Sequence, residues 1–190
     1  MPDRVHIIGV GSPFGDDRLG WVAAESLQRS PVLNGLEPGR IVISILDRPG
    51  AMLLALWDEA DYVILIDGVR SGAVPGTRHR FTASDVTGAS IPATSHGFGV
   101  AAALELAQVL EILPHRLLLR GLEVDAGCTG FTLSAAVIAA MPVFVREIGG
   151  RNLGARGDSP SISVRELLQN RHFSPGNSSI WRNFSGLDPP

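Results

Sequence analysis

The sequence predicts an α/β fold: a three-layer sandwich with helices flanking a mostly parallel central sheet of about five strands. Three observations carry that prediction. Short apolar stretches recur within 5–10, 40–46, 61–66 and 117–124. Between them, apolar residues fall at helical spacing, so strand and helix alternate. The stretches are nearly uninterrupted, as expected for parallel strands covered on both faces.

The elements follow in order. Val5 to Val10 is the first strand, apolar apart from His6, and Gly9 and Gly11 permit a tight turn and close backbone approach. Asp17 to Arg29 predicts a helix with Leu19, Val22, Ala23 and Leu27 on one face. Pro31 to Gly39 reads as a loop, Arg40 to Leu46 as the second strand, and Asp47-Arg48-Pro49-Gly50 as a turn before a short helix, Ala51 to Trp57. The third strand, Asp61 to Ile66, is expected to end in Asp67-Gly68. After a turn at 72–76, Thr77 to Thr82 alternates in polarity like an edge strand, and Asp85 to Ser95 is polar and loop-like. A helix from His96 to Leu113 would bury Val100, Leu104, Ala107 and either Leu110 or Glu111. Leu117 to Val124 is the last strand, Asp125 to Gly130 a loop, and Leu133 to Ile148 the last helix.

Composition bounds the organisation and partners. With 190 residues, 45% of them hydrophobic, the chain can form one domain with a sizeable core. A net charge of −3 argues against nucleic-acid binding by bulk electrostatics. The single Cys128 excludes an internal disulfide and suits a reducing cytoplasm. No signal peptide or long apolar span is visible, so the expectation is a cytoplasmic monomer without a membrane partner. Residues 1–150 form the expected domain. Residues 151–190 are rich in Gly, Ser, Asn and Pro and are expected to form a flexible tail.

Ligands of open α/β sheets sit beyond the carboxyl ends of the strands. Asp16 and Asp17 follow the first strand, Asp47 the second and Asp67 the third, while His96 opens a later helix. Two carboxylates and an imidazole suit a borderline divalent metal. The alternatives are structural: Asp16 or Asp17 as a helix cap, Asp47 and Asp67 as turn residues, His96 as a hydrogen-bonding residue at a helix start. A phosphate site fits poorly. The glycines run Gly9-Gly11-Gly15, a GxGxxxG spacing, and two acids would repel the ligand. No organic cofactor is expected. Cys128 has no base placed beside it by the sequence, and no Gly-x-Ser-x-Gly elbow exists.

Four blocks, spread over residues 4–148, match a known pattern. Gly9-Val-Gly-Ser-Pro-Phe-Gly-Asp-Asp-Arg-Leu-Gly20 is similar to an opening GxGNxLxxD[DE]xxG. Ile66-Asp67-Gly68 with Val74-Pro75-Gly76-Thr77 resembles a D-A-x(n)-P-G-T block. Thr94-Ser95-His96-Gly97-Phe98-Gly99 resembles S-x-H-x-x-[GS], and Gly121-Leu-Glu-Val with Gly130-Phe-Thr-Leu-Ser134 is similar to a final strand and x-L-S/T-P segment. Together these resemble the hydrogenase maturation endopeptidases, which trim the C-terminus of nickel–iron hydrogenase large subunits once nickel is installed.

The resemblance implies an endopeptidase acting on a large-subunit precursor, with nickel carried by the substrate. It also implies Asp17, Asp67 and His96 as metal ligands and catalytic residues. Asp16 is the alternative to Asp17, because the opening loop is one residue shorter than the family's. Ser12-Pro13 replaces an Asn-containing turn, and Asp47-Arg48-Pro49-Gly50 stands where many members have Asp-Gly-Gly-Thr. The competing readings are a non-catalytic α/β binding or regulatory module, and a degenerate maturation factor that binds a hydrogenase subunit without cutting it.

Overall fold

The computed structural model describes residues 4–34, 39–57, 62–83, 85, 93–94, 100–114 and 116–153. Six strands are present: β1 (Val5–Gly11), β2 (Ile41–Asp47), β3 (Tyr62–Arg70), β4 (Arg78–Thr82), β5 (Ala93–Thr94) and β6 (Leu117–Glu123). The helices are α1 (Leu19–Gln28), the short α2 (Pro31–Asn34), α3 (Val100–Val109) and α4 (Ala135–Leu153). Two 3₁₀ segments, Gly15–Arg18 and Gly50–Leu56, follow β1 and β2.

The sheet runs β2-β1-β3-β6-β4, and the two-residue β5 adds to the end of β3. β2, β1, β3 and β6 are parallel, whereas β4 and β5 pair antiparallel. This is the predicted mostly parallel sandwich.

Alternation along each strand divides the core into two layers. On one face Ile7, Ile64, Ile66 and Leu118 pack with Leu19, Ala23 and Leu27 of α1 and with Val137, Met141 and Phe144 of α4. On the other, Ile8, Val10, Val63, Leu65 and Leu119 meet Leu53, Trp57, Val100, Leu104 and Ala107. Both faces are covered, so neither strand parity is free to be polar. Each fully buried aliphatic side chain here contributes roughly 1.5–3 kcal/mol. Gly20 lets α1 lie directly on the sheet: a Cβ there would press on Val10 O and come within 2.6 Å of Ile66 O.

Several boundaries differ from expectation. Residues 15–18 are 3₁₀, so α1 begins at Leu19, and Pro31–Asn34 is helical rather than loop. β3 does not end before Asp67. It continues to Arg70 because β6 pairs it as far as Val69↔Glu123 and β5 takes its other side at Val69 and Arg70. Ala93–Thr94 is therefore strand within the expected polar loop. α3 stops at Val109, Glu111 adopts a left-handed φ of 57°, and Leu110 is exposed. Neither Leu110 nor Glu111 joins the core. α4 continues past Ile148 through a buried Gly149 to Leu153. His96 and the expected tail from 154 onward lie outside the described residues. Among the described residues, no helix is long and apolar enough to cross a membrane.

Candidate functional site

The chain leaves β1 toward β2 at one edge of the sheet and leaves β3 toward β4 at the opposite edge. β1 and β3 are paired only as far as Gly9↔Ile66. Beyond that point β1 stays with β2 to Gly11↔Asp47, and β3 stays with β6 through Asp67↔Gly121. The two strands thus part at their carboxyl ends, the place where open α/β sheets form a crevice.

The 3₁₀ turn after β1 packs against both strands. Ser12 N–H donates to Asp17 O at 3.1 Å, and Gly15, with φ 47°, donates to Gly130 O at 2.8 Å. A left-handed residue at that position favours glycine. The two acids of the turn then separate in role. Asp16 is buried, and its carboxylate accepts Ser134 N–H at 2.6 Å, Ser134 Oγ–H at 2.8 Å and Asp125 N–H at 2.8 Å. It ties the opening turn to the loop before α4. The cap expected for α1 is thus instead an anchor for a distant segment. Asp17 is partly exposed, with Ser12 Oγ at 3.5 Å and Arg70 Nη2 at 3.6 Å.

Asp67 is fully buried within β3, and its Oδ1 accepts the Gly68 N–H at 2.7 Å. Three residues later the same strand supplies the Arg70 that reaches Asp17. Asp47 is engaged differently: the neighbouring Arg48 guanidinium forks onto it at 2.7 and 3.3 Å. Arg48 itself has φ 42°, a strained conformation for a side chain of this size. His96, the third expected ligand, is outside the described residues, among which no three His, Cys, Asp or Glu cluster as a metal site.

A further carboxylate at the strand ends was not anticipated. Glu123 closes β6 and is buried; it accepts Ser71 N–H, Ser71 Oγ–H and Gly72 N–H, each at 2.8 Å, with His79 Nε2 at 2.9 Å. Burial pushes its pKa up, but these bonds from Ser71, Gly72 and His79 outweigh it and hold the carboxyl below its ordinary range. The effect is to fix the turn after Arg70. Nearby, Phe14 and Phe131 stand exposed with ring centroids 5.5 Å apart, and Arg18 Nη1 donates to Phe131 O at 2.7 Å.

Conventional nucleophiles are poorly placed. Cys128 packs under the Gly15 turn, and burial together with the Asp16 charge pushes its thiol pKa up, away from the reactive thiolate. His6 and Ser44 form a pair at 2.8 Å, but both are buried and His6 Nδ1 donates to Leu56 O at 2.8 Å. Burial lowers the His6 pKa, so the imidazole is a neutral core residue joining β1, β2 and the 50–56 segment. The diverging strand ends thus carry one carboxylate on β3, Asp67, and another in the turn after β1, Asp17, a donor type suited to binding a cation.

Residues 49–150 match a family model described as hydrogenase maturation protease. That span includes Asp67 and His96 and excludes Asp16 and Asp17. Among solved structures, the chain is similar to the hydrogenase maturating endopeptidase HybD from E. coli, with a TM-score of 0.65 and 20% identity over 82% of this chain and 96% of that one. It is also similar to the [NiFe] hydrogenase maturation protease HybD from Thermococcus kodakarensis, with a TM-score of 0.59 and 20% identity over 80% and 99% of the two chains. For HycI from the latter organism, the TM-score is 0.56 at 19% identity, over 78% and 91%. At these identities the likeness to the solved structures is one of fold. No curated protein sequence matches this chain.

Proposed function

This chain belongs to the hydrogenase maturation protease family and is a hydrolase of that kind, and from this premise we propose its substrate and recognition signal. It removes a C-terminal extension from the large-subunit precursor of a nickel–iron hydrogenase. It recognises the nickel already held by that precursor through Asp17, Asp67 and His96, and it acts in the cytoplasm as a monomer.

The observation that supports this reading is the parting of β1 and β3 beyond Gly9↔Ile66, with Asp17 in the turn that follows β1 and Asp67 at the next position of β3. His96 enters the set from the family resemblance of Thr94-Ser95-His96-Gly97-Phe98-Gly99. The division between the two opening acids supports Asp17 over Asp16, since three donors already occupy the Asp16 carboxylate.

The nickel belongs to the substrate and supplies Lewis acidity toward a carbonyl or a bound water. The protein's part is to orient the scissile segment. Asp67 is preorganised by burial and by the Gly68 N–H, so its carboxylate does not have to be ordered when substrate arrives. Asp17 is accessible from the crevice mouth. Hydrolysis then needs no thiol or hydroxyl nucleophile from the enzyme, in keeping with the inert surroundings of Cys128 and the inaccessible His6–Ser44 pair.

The test uses purified nickel-loaded precursor and the variants Asp17→Ala, Asp67→Asn and His96→Ala. Trimming, read by mass spectrometry, should fall by about two orders of magnitude or more in each while the variants stay folded. Near wild-type trimming by a folded variant removes that residue from the recognition set.

A further inference from the structure

Asp17 meets the crevice in the company of cations. Arg70 Nη2 lies 3.6 Å from Asp17 Oδ1, and both side chains are solvent-accessible, at 51% and 24%. Asp17 also adds to the field that keeps Arg48 charged, although the Arg48 fork itself is occupied by Asp47. Arg70 thus pairs directly with Asp17. An accessible pair of this kind adds little to fold stability. Its electrostatic consequence is larger, because a metal ion approaching Asp17 must displace the guanidinium or share the carboxylate with a like charge.

The backbone beneath Arg70 is held firmly. β5 pairs with Arg70 through Ala93, and Glu123 fixes the following Ser71–Gly72 turn by three hydrogen bonds. The exposed guanidinium can turn aside by side-chain rotation alone.

We propose that Arg70 is the resident counter-ion of Asp17, a specificity-determining residue that guards the crevice against free divalent cations. Asp17 is released to a metal presented on the precursor, where the precursor's own contacts hold that metal in place. The inference rests on the reading of Asp17 as a metal-recognising carboxylate.

The experiment measures nickel(II) binding to the full-length protein by equilibrium dialysis at low ionic strength, without precursor. Wild type, Arg70→Gln and Arg70→Lys are each compared with and without Asp17→Ala, after circular dichroism has established that the variants are folded. Arg70→Gln should bind nickel(II) about five- to tenfold more tightly than wild type. Arg70→Lys, which keeps the charge, should remain close to wild type. Adding Asp17→Ala should erase the gain, and raising the salt should shrink it. If Arg70→Gln leaves the affinity unchanged while Asp17→Ala still weakens it, the role of Arg70 is overturned and that of Asp17 stands. If nickel(II) affinity is indifferent to Asp17→Ala in every background, both are overturned.

Discussion

The Asp16 carboxylate accepts both polar hydrogens of Ser134, the backbone N–H at 2.6 Å and the hydroxyl at 2.8 Å. With the Asp125 N–H at 2.8 Å, these bonds fasten the turn after β1 to the loop at the start of α4, across more than 100 residues of chain. Adjacent acids therefore have separate tasks. Asp16 holds the turn to that loop, and Asp17, partly exposed, pairs with Arg70.

Asp16→Ala should accordingly destabilise the protein by about 2–4 kcal/mol, because three donors lose the buried carboxylate that accepts from them. Asp16→Asn should also cost more than a simple helix cap, since its amide group would set N–H against N–H. Urea unfolding at neutral pH measures both, and a loss near that of a surface substitution would show that the anchor is unimportant.

Gly20→Ala should be among the most damaging small substitutions in the domain, costing about 3 kcal/mol or more. The added methyl would press on Val10 O and approach Ile66 O to 2.6 Å, both backbone atoms of central strands that cannot yield. A thermal melt within a few degrees of wild type would mean that α1 can lift from the sheet at little cost.

Acid should weaken the fold in two steps. Burial lowers the His6 pKa from 6.5, so the unfolded chain takes up this proton first, and stability falls as the pH drops from about 6.5 through the lowered folded value. Glu123, held below 4.5 by bonds that outweigh its burial, contributes stability above that pH, and this is lost as the pH falls through its folded value. Urea midpoints between pH 7.5 and 3.5 should show both declines. His6→Gln should flatten the upper one and Glu123→Gln the lower, and a slope unaltered by either variant would assign it to other groups.

Cys128→Ser should retain trimming activity, and thiol reagents should modify Cys128 slowly, since its pKa is raised by burial and by the neighbouring Asp16 charge. Loss of trimming by a stably folded Cys128→Ser protein would restore a thiol mechanism.

The legible part of the molecule was the part encoded locally. Strands buried on both faces, such as β1 and β3, announce themselves as apolar runs. Their alternation with helices yields the sandwich. What depended on distant pairing was hidden. Asp67-Gly68 reads locally as a turn, and only β6 and β5 carry the strand on to Arg70. Asp16 resembles a cap until its partners 109 and 118 residues away are known. Glu123 and His79 are likewise 44 residues apart, with no spacing signal to connect them. The Arg70–Asp17 pair joins the ends of two strands and has no local signature either.

The most direct measurement offers the purified protein the same large-subunit precursor in nickel-loaded and nickel-free form, and follows the C-terminus of each by intact mass. Recognition of substrate-bound nickel through Asp17, Asp67 and His96 predicts that the loaded precursor is shortened and the nickel-free precursor stays whole. Equal trimming of both forms, or binding of the loaded form without any cleavage, would contradict it.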